Sequence, residues 1–304
     1  MGMARVLVAG GSGFIGRGLV TDLLARGDHV TVLTRGDSGV RDGQYYLQHW
    51  DPSSAAGVAF TDDYDAVVNL AGEQAVGVRY TAEVKDRILK SRVQSTECLV
   101  RAIERAPHKP AVFVCASGTG FYGSTLNTAR VDESAPAGSD FLAQVCVAWE
   151  AAARRAEPSG VRVVRARIAP VLSERGGALE SLLRPFKLFV GGPIGSGKQG
   201  FPWIHLDDEI AALKRCIDDR ALSGAVNLCA PEPLSNAELS QIIGELLGRP
   251  SFLKAPSFAL KALFGEGAEP LLGGQFAVPR ELERVGFEFR FKRVRDALRA
   301  VFAA

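Results

Sequence analysis

Residues 6–16 constrain the fold of this chain more than any other stretch. Val6-Leu7-Val8-Ala9 is a short apolar run, Gly10-Gly11-Ser12-Gly13-Phe14-Ile15-Gly16 is a glycine turn, and residues 17–26 continue with helical spacing. A strand that enters such a turn and leaves as a helix gathers free backbone N–H groups at the positive end of a helix dipole. That arrangement suits a phosphate. Gly10 permits the tight turn, Gly13 lets the backbone approach a pyrophosphate, and Gly16 lets the helix lie close on the strand. A dinucleotide site is therefore expected, contacted by Gly10, Ser12, Gly13, Phe14, Ile15 and Gly16. The competing account is a turn whose glycines serve only helix–sheet packing.

The rest of the first half repeats the strand–helix alternation. Strands are expected at 6–9, 29–33, 45–48, 66–70, 111–115 and 161–168, and helices at 14–26, 81–106 and 141–156. Alternation of this kind builds a parallel sheet with helices on both faces, and right-handed crossovers give it a doubly wound order. The expected fold class is α/β, a Rossmann-type doubly wound parallel sheet with a smaller mixed α/β C-terminal lobe. From about Pro170 short apolar runs are broken by Gly191-Gly192-Pro193, Gly195-Ser196-Gly197 and Pro231-Glu232-Pro233, with helices expected at 207–218, 236–247 and 294–302. This divides the chain into a nucleotide-binding domain at 1–169, open to later woven-in segments, and a smaller substrate lobe at 170–304. The stretch 191–200 reads either as a mobile lid or as a turn-rich connection.

At 304 residues, 47% apolar and 23% charged, the chain has the make-up of an enzyme-sized globular protein. Its formal net charge of +2 gives no field for nucleic acid or a membrane surface. No apolar run approaches the ~18 residues of a membrane span. The start Met1-Gly2-Met3-Ala4-Arg5 passes straight into a strand, leaving no room for a signal peptide. Five cysteines without CxxC spacing fit a reduced, cytoplasmic setting. No metal site is expected, because no His or Cys pair has ligand spacing.

Which nucleotide is held turns on Thr34-Arg35-Gly36-Asp37 after the second strand. An acidic residue there would hold the ribose hydroxyls of NAD, whereas an arginine neutralises the 2′-phosphate of NADP. Arg35 stands at the strand end, and Arg17 could add a second positive charge, so NADP is favoured over NAD. Asp51, after the third strand, is a candidate for the adenine amino group. Asn69-Leu70-Ala71-Gly72 ends the fourth, where small residues let the chain pass under a cofactor.

These residues resemble the extended short-chain dehydrogenase/reductase superfamily in the GGSGFIG turn, in NLAG and in Tyr122-Gly123. The likeness is closer to an atypical, epimerase-like branch whose members are of unknown function and carry a small C-terminal domain. It runs nearly end to end, through Val32-Leu33-Thr34-Arg35, Asn69 to Glu73, Lys85 with Ser91-Arg92, Ser117 to Gly123, Phe141-Leu142-Ala143, Trp149-Glu150, Trp203-Ile204-His205 and Leu271 to Gln275. The resemblance implies an NADP-dependent oxidoreductase or epimerase acting on an unknown small molecule. It also implies a possible homodimer through the helices at 81–106 and 141–156.

Catalytic members of the superfamily place a Tyr four residues before a Lys on the helix after the fifth strand, and the Lys lowers the phenol's pKa. Anchoring on Glu150 puts Cys146 at the Lys position and Leu142 at the Tyr position, so the usual dyad is expected to be absent. Ser117 and Thr119 can donate a hydrogen bond to a substrate carbonyl, and Tyr122 is the nearby phenol. These three are the catalytic candidates. Glu73 and His205 are the substrate-side candidates, with Lys85 a possible source of the missing charge. His205 is expected to precede a helix capped by Asp207 or Asp208. A nucleotide-binding protein without turnover, a sensor or interaction module, is the alternative.

Overall fold

The computed structural model describes residues 3–54, 57–174 and 176–303; Met1 and Gly2, part of the start from which no leader is expected, lie outside them. Eight strands form one sheet: β1 (Arg5–Ala9), β2 (His29–Thr34), β3 (Gly39–Arg41), β4 (Tyr45–His49), β5 (Ala66–Asn69), β6 (Val112–Gly118), β7 (Arg162–Ile168) and β8 (Gly224–Leu228). Their order is β8-β7-β6-β5-β1-β2-β4-β3. Every pairing is parallel except that of β3, which turns back on β4 as a short edge. This is the doubly wound sheet that the alternation predicts, and its order reverses beside β1.

Helices follow at α1 (Phe14–Ala25), α2 (Ala82–Arg105), α3 (Phe141–Arg154), α4 (Ala178–Lys187), α5 (Leu206–Asp218), α6 (Asn236–Leu247), α7 (Ser257–Phe264) and α8 (Val294–Ala303). Side chains alternate across a strand, so β1 feeds two cores. Val6 and Val8 pack with Leu19 and Leu23 of α1 and Leu213 of α5. Leu7 and Ala9 pack with Leu99 and Ile103 of α2 and Trp149 of α3. A third core, around Leu172, Leu179, Trp203, Leu239 and Leu298, belongs to the C-terminal lobe.

Part of the C-terminal half joins the large sheet. β8 joins the sheet beside β7, and α5 covers the same face as α1. Gly18 makes this contact possible, because a Cβ there would lie 2.4 Å from Ile210 Cδ1. Arg162 fixes the other end of α5 by donating to the carbonyls of Cys216, Ile217 and Leu222 at 2.6–2.9 Å, a cation on the negative end of a helix.

The stretch 191–200 is a pinned connection. Gly195 N donates to Ala255 O and Ala255 N to Pro193 O, both at 2.9 Å. Gly192 has no room for a Cβ, which would lie 2.2 Å from Leu253 O. Among the described residues no helix is long and apolar enough to cross a membrane, and no group of three or more His, Cys, Asp or Glu is placed to hold a metal.

Glu209 of α5 is fully buried with neither carboxylate oxygen hydrogen-bonded among the described residues. Burial pushes its pKa well above the ordinary 4.5 and so favours the neutral acid in the folded state. The sign follows from linkage. Stability is fully present below the unfolded value and is lost as pH rises toward the folded one. Glu209→Gln should therefore match the native protein in thermal unfolding below about pH 4.5, and exceed it by about 1–3 kcal/mol near neutrality. Parallel pH profiles for the two proteins would refute this.

Candidate functional site

The glycine turn sits where β1 and β5 end side by side. Gly10 adopts φ +78°, and a Cβ on it would lie 2.7 Å from the Leu70 carbonyl carbon. The turn closes through Gly13 N on Gly10 O at 3.0 Å and Arg17 N on Gly13 O at 2.9 Å. At Gly16 a Cβ would fall 2.1 Å from Gly10 O, so only glycine lets α1 start this close to β1. Gly13 is the N-cap of α1 with no side-chain cap, and no acidic residue stands in the first turn. The leading N–H groups of α1 are thus left for an anion. Ser12 and Gly13 are exposed, Phe14 and Ile15 half-buried. Phe14 lies against Gly176 and Gly177, where added Cβ atoms would come within 3.4 and 3.0 Å of its ring.

Arg35 and Arg17 are exposed and form no ion pair among the described residues. Beside Arg35, the Gly36 N–H donates to Thr34 Oγ1 at 3.1 Å, which turns the chain directly after β2. Asp51 uses one carboxylate oxygen to accept from Ser53 N and Oγ at 2.8 and 2.6 Å. Those bonds hold its pKa below the ordinary carboxylate value. Asn69 is wholly buried, donating to Thr96 Oγ1 at 2.9 Å and accepting from Ala71 N at 3.1 Å. Its amide latches the β5 exit to α2. It therefore shapes the path of Leu70, Ala71 and Gly72 rather than offering itself to a ligand.

A buried polar chain occupies the ends of β6, β7 and β8. Ser117 Oγ donates to Glu150 Oε1 at 2.8 Å, and Arg167 grips the same carboxylate through Nε at 2.8 Å and Nη2 at 3.0 Å. Arg165 adds a third donor at 3.0 Å. Arg167 Nη1 then donates to the Tyr122 hydroxyl at 3.0 Å, and Tyr122 donates to Asn227 Oδ1 at 2.7 Å. Phe121 lies under the guanidinium, its ring centre 3.4 Å from Cζ. Burial pushes the Tyr122 phenol up to about 12 despite the arginine beside it.

Two of the three catalytic candidates thus already have their protons committed. Tyr122 points into the sheet edge, not into an open site. Thr119 is buried at the same loop, and its hydroxyl makes no hydrogen bond among the described residues. Neither Arg167 nor Asn227 was expected at the site. The available signal was three arginines, Arg162, Arg165 and Arg167, inside an otherwise apolar strand, since a buried charge requires a partner.

Leu142, Cys146 and Glu150 follow one another at helical spacing on the face of α3 toward this loop. A Cβ at Gly120 would lie 3.6 Å from Leu142 Cβ, and Cys146 Sγ is 3.8 Å from Gly118 O. Burial pushes the Cys146 thiol up to about 11. Lys85 pairs with Glu266 and stands over the Phe141 ring at 5.2 Å. Glu73 faces Arg87 at 3.3 Å, half exposed. His205 corrects the expected cap. The helix begins at Leu206, and His205 itself is the N-cap, its Nδ1 accepting from Asp207 N at 3.1 Å. Its ring packs on Phe291 at 4.1 Å, and burial lowers its pKa. Asp208 instead accepts from Arg290 N and Phe291 N at 2.8 and 2.9 Å.

Comparison with known proteins agrees with this architecture. Residues 6–229 match the NAD dependent epimerase/dehydratase family, and residues 255–301 match a domain of unknown function, DUF1731. The chain is 40% identical to the chloroplastic epimerase family protein SDR39U1 homolog of Arabidopsis thaliana, over 97% of this chain and 86% of that protein. It is 42% identical to the epimerase family protein MT2273 of Mycobacterium tuberculosis, over 98% of this chain and 97% of that protein. The crystal structure of human epimerase family protein SDR39U1 with NADPH superposes with a TM-score of 0.85 at 38% identity, covering 98% of both chains. The chain belongs to the NAD dependent epimerase/dehydratase family.

Proposed function

We propose that this protein binds NADP(H) at the glycine turn and acts as an oxidoreductase- or epimerase-like protein with a non-standard proton route. The observation that carries the reading is the pair of contacts at Gly10 and Gly16, which leave no space for a Cβ and open the start of α1 to a pyrophosphate. Arg35 stands beyond it with no ion-pair partner among the described residues, as a 2′-phosphate requires. The NADPH in the human relative's structure supports the same choice. Leu70, Ala71 and Gly72 would form the floor under the cofactor, with Asp51 near the adenine through its second oxygen. A reducing, cytoplasmic setting fits the five free, buried cysteines.

At the reacting end, Leu142 and Cys146 take the places of the Tyr and Lys that the wider family uses, and neither supplies the proton or the fixed cation of that pair. Bound nicotinamide would supply hydride chemistry. In this reading the Thr119 hydroxyl polarises the substrate carbonyl and passes it a proton from solvent. Ser117 and Tyr122 hold the loop in shape. Glu73 and His205 lie on the substrate side as positioning groups, and a homodimer would use the paired surfaces of α2 and α3. The second reading, binding without turnover, draws on the committed protons of Ser117 and Tyr122.

Arg35→Ala should weaken NADPH binding by about tenfold or more, through loss of a charge-assisted contact, and leave NADH binding nearly unchanged. Isothermal titration with both nucleotides reads this directly, and equal losses reject the 2′-phosphate role. Turnover is read as loss of reduced-nicotinamide absorbance across a panel of carbonyl compounds. Thr119→Val should slow it by about a hundredfold, the cost of one oxyanion donor. Ser117→Ala should chiefly lower the melting temperature. Tight NADPH binding with no oxidation across the panel would favour the sensor reading.

A further inference from the structure

Arg92, on the inward side of α2, is a half-buried guanidinium with no carboxylate partner among the described residues. Trp149 lies on one side, its ring centre 5.1 Å from Cζ. Gly72 also lies against it, and an added Cβ there would come 3.2 Å from Cζ. Nη2 donates to Glu73 O at 2.8 Å and Nη1 to Ile88 O at 3.1 Å, which fixes the fork without neutralising it. Glu73, its nearest acidic neighbour, turns its carboxylate to Arg87. The contrast with Arg167 is sharp, since that guanidinium spends itself on Glu150.

An arginine does not discharge under burial as a lysine does. A fixed, partly desolvated cation therefore invites an anion, and a planar fork suits a carboxylate. Cys146 and Tyr80 are the ionisable groups that face it besides Glu73. Tyr80 donates to Ala75 O at 2.8 Å and packs edge-on to Phe141, so the neighbouring walls are apolar or neutral. A dianionic phosphate would need a second free cation here. Lys85 is paired with Glu266, and Arg79 is held at the end of α7 by the carbonyls of Ala262 and Leu263.

We propose that Arg92 anchors a substrate carboxylate beside the β5 exit, which makes the substrate class carbonyl or hydroxy compounds that carry a carboxylic acid. This rests on the reading that the glycine turn holds NADP(H), and NADPH binding is measured separately for that reason.

The test is calorimetric titration of the NADPH-loaded protein with oxamate, benzoate, neutral benzamide and inorganic phosphate. Oxamate or benzoate should bind, benzamide should not, and Arg92→Gln should weaken the carboxylate by about tenfold or more while NADPH affinity stays unchanged. Arg92→Lys, which keeps the charge, should retain carboxylate binding at reduced affinity and guards against a Gln variant that fails to fold. The proposal is overturned if neither carboxylate binds, if Arg92→Gln and Arg92→Lys both bind it as the native protein does, or if phosphate binds better than both carboxylates. It is also overturned if Arg92→Gln loses NADPH, which would assign the guanidinium to the cofactor. Failure of the native protein to bind NADPH would instead sink the underlying reading.

Discussion

One buried carboxylate organises the ends of β6 and β7 and the loop that follows β6. Glu150 receives Ser117 from β6 and both Arg165 and Arg167 from β7, so a single residue of α3 ties the helix to two strands. Glu150 and Arg167 are each satisfied several times over, whereas Arg165 gives one bond through Nη1 and leaves its buried Nε unpartnered among the described residues; removing one partner of such a buried pair typically costs about 3–5 kcal/mol. The rotational setting of α3 follows from that tie. It turns Leu142 and Cys146 toward the loop after β6 and sets Trp149 against Thr96, its indole N–H donating at 2.9 Å. Trp149 in turn is the surface on which Arg92 rests.

The two ends of the site are built by different means. At the glycine turn the backbone does the recognition, and the constraint is space: Gly10 against Leu70, Gly16 against the Gly10 carbonyl. At the loop after β6 side chains dominate, and most of their hydrogen-bonding capacity is turned inward. Arg167 carries this inward chain on to Tyr122 and Asn227, and Asn227 Nδ2 closes it on Val278 O at 2.9 Å. The C-terminal segment thereby touches the same network that shapes the Thr119 loop. Among the described residues the buried Thr119 hydroxyl of that loop has no hydrogen-bond partner, and the Arg92 guanidinium of α2 has no carboxylate partner.

Much of this was legible from the chain because it depends on local pattern. The strand at 6–9 and the helix after it follow from alternation and from glycine placement, and the six helices expected from spacing lie within two residues of their observed ends. β3 and β8 were missed for opposite reasons. β3 is a three-residue edge, too short for an alternation to show, and β8 acquires its identity only by pairing with β7 across a long separation. α4 escaped because Pro185 interrupts its spacing. The cap of α5 differs from the aspartate that the sequence suggests, because His205 accepts from Asp207 N and Asp208 is taken by the Arg290 and Phe291 backbone. The Glu150–Arg167 tie joins residues 17 positions apart on different elements, and sequence shows only that a strand with three arginines must find partners for them.

We propose that nucleotide recognition is retained while the proton chemistry has moved away from α3. A crystal structure of the protein with NADPH tests it most directly. The pyrophosphate oxygens are expected on the N–H groups at the start of α1, the 2′-phosphate on Arg35, and Thr119 as the hydroxyl nearest the nicotinamide, with Ser117 and Tyr122 keeping their present partners. A nicotinamide facing a Tyr122 swung out of its contact with Asn227, or a ribose held by Asp37 with Arg35 turned away, would contradict it.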